Sequence, residues 1–225
     1  MAQNFNGRVA LITGSTTGLG FGIAKVLGLG GAKVVMNYAN DSERGERAFA
    51  EFQALGCDGI LLRGSAINEE EITAMVNEVQ ERLGAVDIVV PNATPAQPQK
   101  PIEEYDWEFY QQMLDFFVKS PYLLTRAVLP KMKEKGWGRI INIGSEVYQM
   151  SVSPFSAYVS AKGGQIGWTR SMATELAPFQ ITVNMVAPGW IPTDRHIDDP
   201  EEEKQGYRDL VPVDRWGVPK DVADA

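Results

Sequence analysis

Two residue types that carry much of enzyme chemistry are nearly missing from these 225 residues: there is one cysteine, Cys57, and one histidine, His196. A single cysteine excludes an internal disulfide and a cysteine-based zinc site. A single histidine leaves a Ser-His-Asp triad to that residue alone. Basic charge is also short: 21 Lys+Arg stand against 29 Asp+Glu, a net charge of −8. That balance argues against nucleic-acid binding and supplies no basic patch for anionic lipid. No apolar run approaches the length of about eighteen residues that a membrane span needs, and no leader pattern follows Met1. The expectation is therefore a cytoplasmic protein with no membrane or nucleic-acid partner. The one strongly one-signed run, Asp198 to Glu203, reads as a solvated loop, so no metal site is expected.

What the chain has in quantity is alternation. Short apolar runs at Arg8–Ile12, Lys33–Asn37, Gly59–Arg63, Val86–Val90, Arg139–Ile143 and Ile181–Val186 read as six strands. Between them lie stretches of helical length: Phe21–Leu29, Ser42–Leu55 with Ser42 as its N-cap, about Glu69–Leu83, a long region from about Tyr105 to Lys135, and one that carries Tyr158 and ends near Pro178. Strands separated by helices of this length mean βαβ units, hence an α/β doubly wound parallel sheet of the Rossmann type, one domain over 1–225 with helices on both faces. From Pro188 to Trp216 the pattern breaks into an irregular, proline-containing segment that holds His196, the kind of segment that serves as a mobile lid. We place that lid at about 190–215.

Two stretches carry chemistry. The first strand runs into Thr13-Gly14-Ser15-Thr16-Thr17-Gly18-Leu19-Gly20, and a helix follows. Strand, glycine-rich turn and helix together let backbone N–H groups and the positive helix end meet an anion such as a pyrophosphate. A plain structural turn is the alternative. The second stretch, Ile140 to Gly164, passes from a buried strand through Ser145 to a helix on which Tyr158 and Lys162 stand four residues apart. Residues at i and i+4 share a helix face. A fixed cation beside a phenol favours the phenolate and brings its proton within reach of working pH. A hydroxyl such as Ser145 could hold a substrate oxygen beside it. With seven tyrosines in the chain the Tyr-Lys spacing alone is a weak signal.

Taken together these motifs resemble the short-chain dehydrogenase/reductase family over essentially the whole chain, most of all its 3-oxoacyl-acyl-carrier-protein reductase-like and 3-hydroxybutyrate dehydrogenase-like members. Thr13-Gly14-x-x-x-Gly18-x-Gly20 matches the family's cofactor turn, Ser145, Tyr158 and Lys162 its catalytic serine, tyrosine and lysine, and Pro188-Gly189-Trp190-Ile191-Pro192-Thr193 its P-G-x-I-x-T segment. The resemblance implies a nicotinamide cofactor exchanging hydride with a ketone or secondary alcohol. Tyr158 would be general acid or base, Lys162 the ribose-holding cation, and Ser145 the residue that orients the substrate oxygen. It further implies cofactor contacts from Gly14, Thr17, Gly18, Leu19, Gly20, Tyr38, Ser65, Ala66, Asn92, Ala93, Pro188, Gly189, Ile191 and Thr193, and assembly as a homodimer or homotetramer.

The chain departs from the family pattern at several points. Thr94 stands where a glycine follows Asn92-Ala93, Phe117 where the family has a catalytic asparagine, and Ser65 where it has an adenine-contacting aspartate. A phenyl ring cannot hold a relay water. No acid ends the second strand: Tyr38 sits there between Asn37 and Ala39, while Thr17 replaces a basic residue often found in NADP-preferring relatives. With nothing to repel a 2′-phosphate, the reading leans to NADP over NAD. Trp216–Ala225 resembles the start of a last helix, after which relatives continue into a seventh strand, so a trimmed sequence is expected. The leading reading is an NAD(P)-dependent oxidoreductase. The alternative is a catalytically impaired nucleotide-binding regulatory or scaffold protein of the same fold.

Overall fold

The structure is a computed structural model that describes residues 4–213 and 215–225; position 214, inside the expected lid, lies outside the described residues. Six strands form one sheet: β1 (Val9–Ile12), β2 (Lys33–Tyr38), β3 (Gly59–Arg63), β4 (Ile88–Val90), β5 (Gly138–Ile143) and β6 (Ile181–Val186). Their order is β3-β2-β1-β4-β5-β6, and every pairing is parallel. Helices cover both faces of the two central strands, β1 and β4, every residue of which is buried. Successive residues point to opposite sides: Val9 and Leu11 join a core with α3 (Glu69–Arg82), α5 (Ser120–Lys135) and α7 (Ser156–Leu176). Ala10 and Ile12 join a second core with α1 (Gly18–Leu29), α2 (Ser42–Ala54) and α9 (Pro219–Ala223).

The expected alternation holds, with corrections at the element ends. Helix α1 begins at Gly18, inside the glycine turn, and not at Phe21. The N-cap of α2 is Asp41, whose carboxylate accepts the Arg44 N–H, so Ser42 is the first helical residue and not the cap. The region expected as one helix from Tyr105 to Lys135 is α4 (Trp107–Leu114), a π turn over Asp115–Lys119, and α5. Pro121 explains the break: it has no N–H to give the Phe117 carbonyl four residues back, and its ring crowds that carbonyl. The segment expected to be irregular contains a two-turn helix, α8 (Glu201–Arg208). A one-turn helix, α6 (Val147–Met150), precedes α7. Of the apolar residues on the long helices, Met113 is buried within the chain, and Phe109, Tyr110, Phe116, Trp168 and Met172 pack against its cores. Among the described residues no helix is long and apolar enough to cross a membrane.

At the amino-terminal edge of the sheet the Asp87 carboxylate, 1% exposed, accepts the Val9 N–H at 3.0 Å and pairs with Arg8 at 3.3 Å and with Lys135. It ties β1, the start of β4 and the end of α5 at one point. The Asp87→Asn variant keeps the shape but turns amide hydrogens toward donors. We expect it to cost about 2 kcal/mol in urea unfolding, and an unchanged midpoint would show that this junction is not what holds the three elements together.

Candidate active site

The strand order reverses direction at β1 and β4, and a crevice opens there beyond the carboxyl ends of the strands. Four loops meet at it: the glycine turn after β1, Asn92–Thr94 after β4, Ser145–Glu146 after β5, and 188–194 after β6. Their hydrogen bonds explain why these residues fold as they do. The Thr13 hydroxyl accepts the N–H groups of Asn92 and Ala93 at 3.0 and 3.1 Å, and the Asn92 amide donates to the Thr13 and Gly14 carbonyls, both at 3.0 Å. Asn37 of β2 completes the knot, its side-chain oxygen accepting the Gly14 N–H at 3.2 Å. Gly14 has φ +60°, and a Cβ there would meet the Ala93 Cα at 2.8 Å. Gly20 is required on other grounds, since its Cβ would fall 2.4 Å from the Asn92 amide nitrogen.

Beyond this knot, the amino end of α1 is open. Helices α2, α3 and α4 are capped by Asp41, Asn68 and Asp106, whereas the α1 cap position, Thr17, makes no side-chain capping bond, and no acid stands in the first turn. An uncapped helix start formed by Gly18, Leu19 and Gly20 is the donor set that suits an anion. The Thr17 hydroxyl instead donates to Asp194 at 3.2 Å, and Thr193 stands beside Gly18, so the segment after β6 closes one side of the turn.

On the other side stand the three residues singled out for chemistry. Tyr158 and Lys162 do share a face of α7: the Lys162 ammonium lies 5.4 Å from the Tyr158 ring centre. Lys162 is 3% exposed, donates to the Ile143 carbonyl at 2.6 Å, and sits 3.9 Å above the Phe117 ring. Burial holds its pKa down at about 7. Phe117 also meets Tyr158 edge to face at 5.2 Å, and Phe155 flanks the same ring at 4.8 Å. Ser145 lies at the end of β5, where its hydroxyl accepts the Val147 N–H at 3.4 Å and the Glu146 N–H donates to the Pro188 carbonyl.

Ser65, Tyr38, Ala66 and Ile191, expected at a cofactor, and the departing Thr94 have these neighbours within the chain. The Ser65 N–H donates to Glu71, and the Ser65 hydroxyl accepts the Ile67 N–H. Thr94 turns to its own loop, donating to the Pro95 carbonyl and accepting from Gln97. Tyr38 packs against Gly45, where a Cβ would come 3.0 Å from its ring. Ala66 is buried beside Ser65, and Ile191 packs on Gly217. His196 is tied into its segment: its Nδ1 accepts the Thr193 N–H at 3.1 Å, and its ring meets Trp190 at 5.8 Å.

Sequence reasoning missed a clasp. The Tyr207 hydroxyl on α8 donates to Glu146 at 2.5 Å and accepts the Trp190 N–H at 2.8 Å, while Trp190, Tyr207 and Trp216 pack ring against ring. Burial, and then the Glu146 bond, push the Tyr207 hydroxyl up to about 12. Gly189 is needed because a Cβ there would strike that hydroxyl at 2.1 Å. The signal was present as three aromatic residues in a segment otherwise rich in charge.

Comparison with known proteins gives a consistent picture. The family model described as short chain dehydrogenase matches residues 8–204. The chain is 37% identical to the 3-oxoacyl-acyl-carrier-protein reductase of Vibrio cholerae, over 99% of this chain and 89% of that protein. It is 32% identical to the 2-dehydro-3-deoxy-D-gluconate 5-dehydrogenase of Formosa agariphila, over 97% and 84%. Among solved structures, a provisionally named gluconate dehydrogenase from Agrobacterium tumefaciens superposes with a TM-score of 0.92 at 32% identity, covering 100% of this chain and 88% of that one.

Lys162 makes stability depend on pH. An unfolded lysine keeps its proton up to the ordinary value of 10.5, whereas the folded one gives it up near 7. Between those values the unfolded chain binds more protons, so this residue makes stability rise with pH across that window. Lys162→Met should therefore shrink the gain in urea midpoint that the wild type shows between pH 7 and 10; equal gains would mean that the lysine is not desolvated.

Proposed function

The chain belongs to the short-chain dehydrogenase family and is an oxidoreductase acting on CH–OH or C=O groups, and on that premise we propose that it uses a nicotinamide cofactor, with Tyr158 as the acid/base. The observation that carries the reading is the Tyr158–Lys162 pair beside the carboxyl end of β5, across the crevice from the uncapped start of α1. The glycine turn and the first N–H groups of α1 are suited to the pyrophosphate, and Thr193 borders the same place. When bound, the nicotinamide supplies or accepts the hydride. Tyr158 gives its hydroxyl proton to the substrate oxygen in reduction and takes it back in oxidation. Lys162 would hold the ribose hydroxyls and stabilise the phenolate, and Ser145 would donate to the substrate oxygen and keep it in line. The relatives' names, an oxoacyl reductase and a gluconate 5-dehydrogenase, both describe interconversion of a carbonyl and an alcohol.

NADP is the cofactor this chain favours. Arg44 on α2 leans over the glycine turn, its Nε donating to the Thr16 hydroxyl at 3.5 Å, close to where β2 ends. It provides the cation that Thr17 does not. Asp41, the nearest acid beyond Tyr38, is already engaged as the α2 cap and in an ion pair with Arg44 at 3.4 Å. The segment 190–215, fastened by the Glu146–Tyr207 clasp, acts as the lid on the substrate side, and the exposed Trp107 and Tyr122 on α4 and α5 serve a homo-oligomer contact.

Fluorescence titration of NADPH and NADH into wild type and Arg44→Ala should show NADPH bound more tightly, and the variant about tenfold weaker for NADPH with NADH unmoved. Equal losses for both nucleotides would refute the selectivity, and no binding of either would remove the nicotinamide reading. In a carbonyl screen run with the preferred nucleotide, Tyr158→Phe should lower turnover by at least about a thousandfold while nucleotide affinity stays within about threefold. Turnover that survives this change would take the acid/base role away from Tyr158.

A further inference from the structure

Helix α7 buries Ala157, Ala161, Lys162, Gln165, Thr169 and Leu176. The middle of that stripe is polar, at positions i, i+3 and i+7, where an ordinary buried helix face would carry aliphatic residues. Gln165 is 1% exposed, and its Oε1 accepts from the Lys162 ammonium at 3.3 Å. A glutamine side chain loses conformational freedom and hydration when fully buried, so its place in a core needs a partner that repays both.

We infer that Gln165 is a positioning residue for Lys162, holding its ammonium in the charged form beside Tyr158 together with the Ile143 carbonyl and the face of Phe117. The geometry divides the work among three elements. From β5 comes a carbonyl at 2.6 Å, from the π turn a ring face at 3.9 Å, and from the next turn of α7 an amide oxygen at 3.3 Å. A carbonyl and an amide oxygen accept from the cation and favour it. The negative face of a ring does the same without carrying a charge of its own. Tyr158, on the same helix, is the titratable side chain found against Lys162 among the described residues. Among the described residues it forms no ion pair.

Behind Gln165 the wall stays polar. The Thr169 hydroxyl donates to the Gln165 carbonyl at 2.7 Å and accepts from the Asn142 amide at 2.9 Å. The buried Asn142 Oδ1 has no partner among the described residues. This backing fixes the α7 backbone at the residue whose side chain meets the lysine. Phe117 offers only a ring face, whereas Gln165 is a polar side chain that reaches Lys162 from within the core. The consequence for proton transfer rests on the reading of Tyr158 given above; the lysine's own protonation does not.

The test reads Lys162 directly and needs neither substrate nor nucleotide. In protein carrying 13C-labelled lysine, the Lys162 Cε resonance, assigned by its loss in Lys162→Met, is followed from about pH 5 to about pH 11 in wild type, Gln165→Leu and Gln165→Glu. We expect Gln165→Leu to lower the midpoint by about one pH unit and Gln165→Glu to raise it by about one unit or more, because one removes an acceptor and the other supplies an anion. A glutamine that merely fills space would give no shift, or shifts of the same sign in both variants, and either result overturns the inference. If one variant fails to fold, the sign of the other decides. Nucleotide affinity measured on the same samples keeps the two proposals apart. Opposite shifts in a protein that binds neither NADPH nor NADH would uphold Gln165 and sink the cofactor reading. Unmoved midpoints in a protein that binds nucleotide would do the reverse.

Discussion

The crevice between β1 and β4 depends on a few hydrogen bonds centred on the Thr13 hydroxyl and the Asn92 amide. Where a parallel sheet reverses its strand order, the loops that follow the two central strands lead away to opposite faces and would part without a tie. Here the loop after β4 is sewn to the turn after β1, and Asn37 anchors the same turn to β2. Both asparagine side chains are used on backbone groups, so the loop conformation does not rely on a ligand. The close approach this needs leaves no room for a Cβ at Gly14 or Gly20, and the amino end of α1 is held open as a result.

Opposite that opening, a lysine is kept in a place where lysine is costly. Burial drives Lys162 toward its neutral form, while a carbonyl, a ring face and an amide oxygen pull the other way. The phenol of Tyr158 lies between two aromatic rings and this contested cation. The proposed acid/base role needs a phenol whose proton is available near neutral pH, and such tuning comes from burial and near neighbours acting together. The π turn is part of the arrangement. Pro121 interrupts the α-helical ladder at the residue whose ring covers the lysine, so a backbone irregularity and a side-chain contact share one cause.

The segment after β6 shows how a stretch with little regular structure can still be ordered. Its Gly189 and three aromatic rings, together with the Glu146 carboxylate of the β5 loop, form a contact set that joins α8 to the residue following Ser145. Movement of α8 would have to break the Tyr207–Glu146 bond, so the position of α8 and the geometry of the β5 loop are linked through a single phenol.

Much of this was legible in the sequence. The alternation of apolar runs and helices determined the parallel α/β fold, because a strand buried on both faces reads as a continuous hydrophobic run whatever surrounds it. The glycine turn and the four-residue spacing of Tyr158 and Lys162 marked the candidate site, since both are local geometries. The tertiary structure decided what depends on distant residues meeting. Examples are the cation on the Phe117 ring, the amide of Gln165 turned to the same ammonium, Arg44 over the glycine turn, and Tyr207 reaching Glu146 across 61 positions. No local period encodes such pairs. Propensity can place a residue on a helix face, but which group it meets there is settled only when the layers pack.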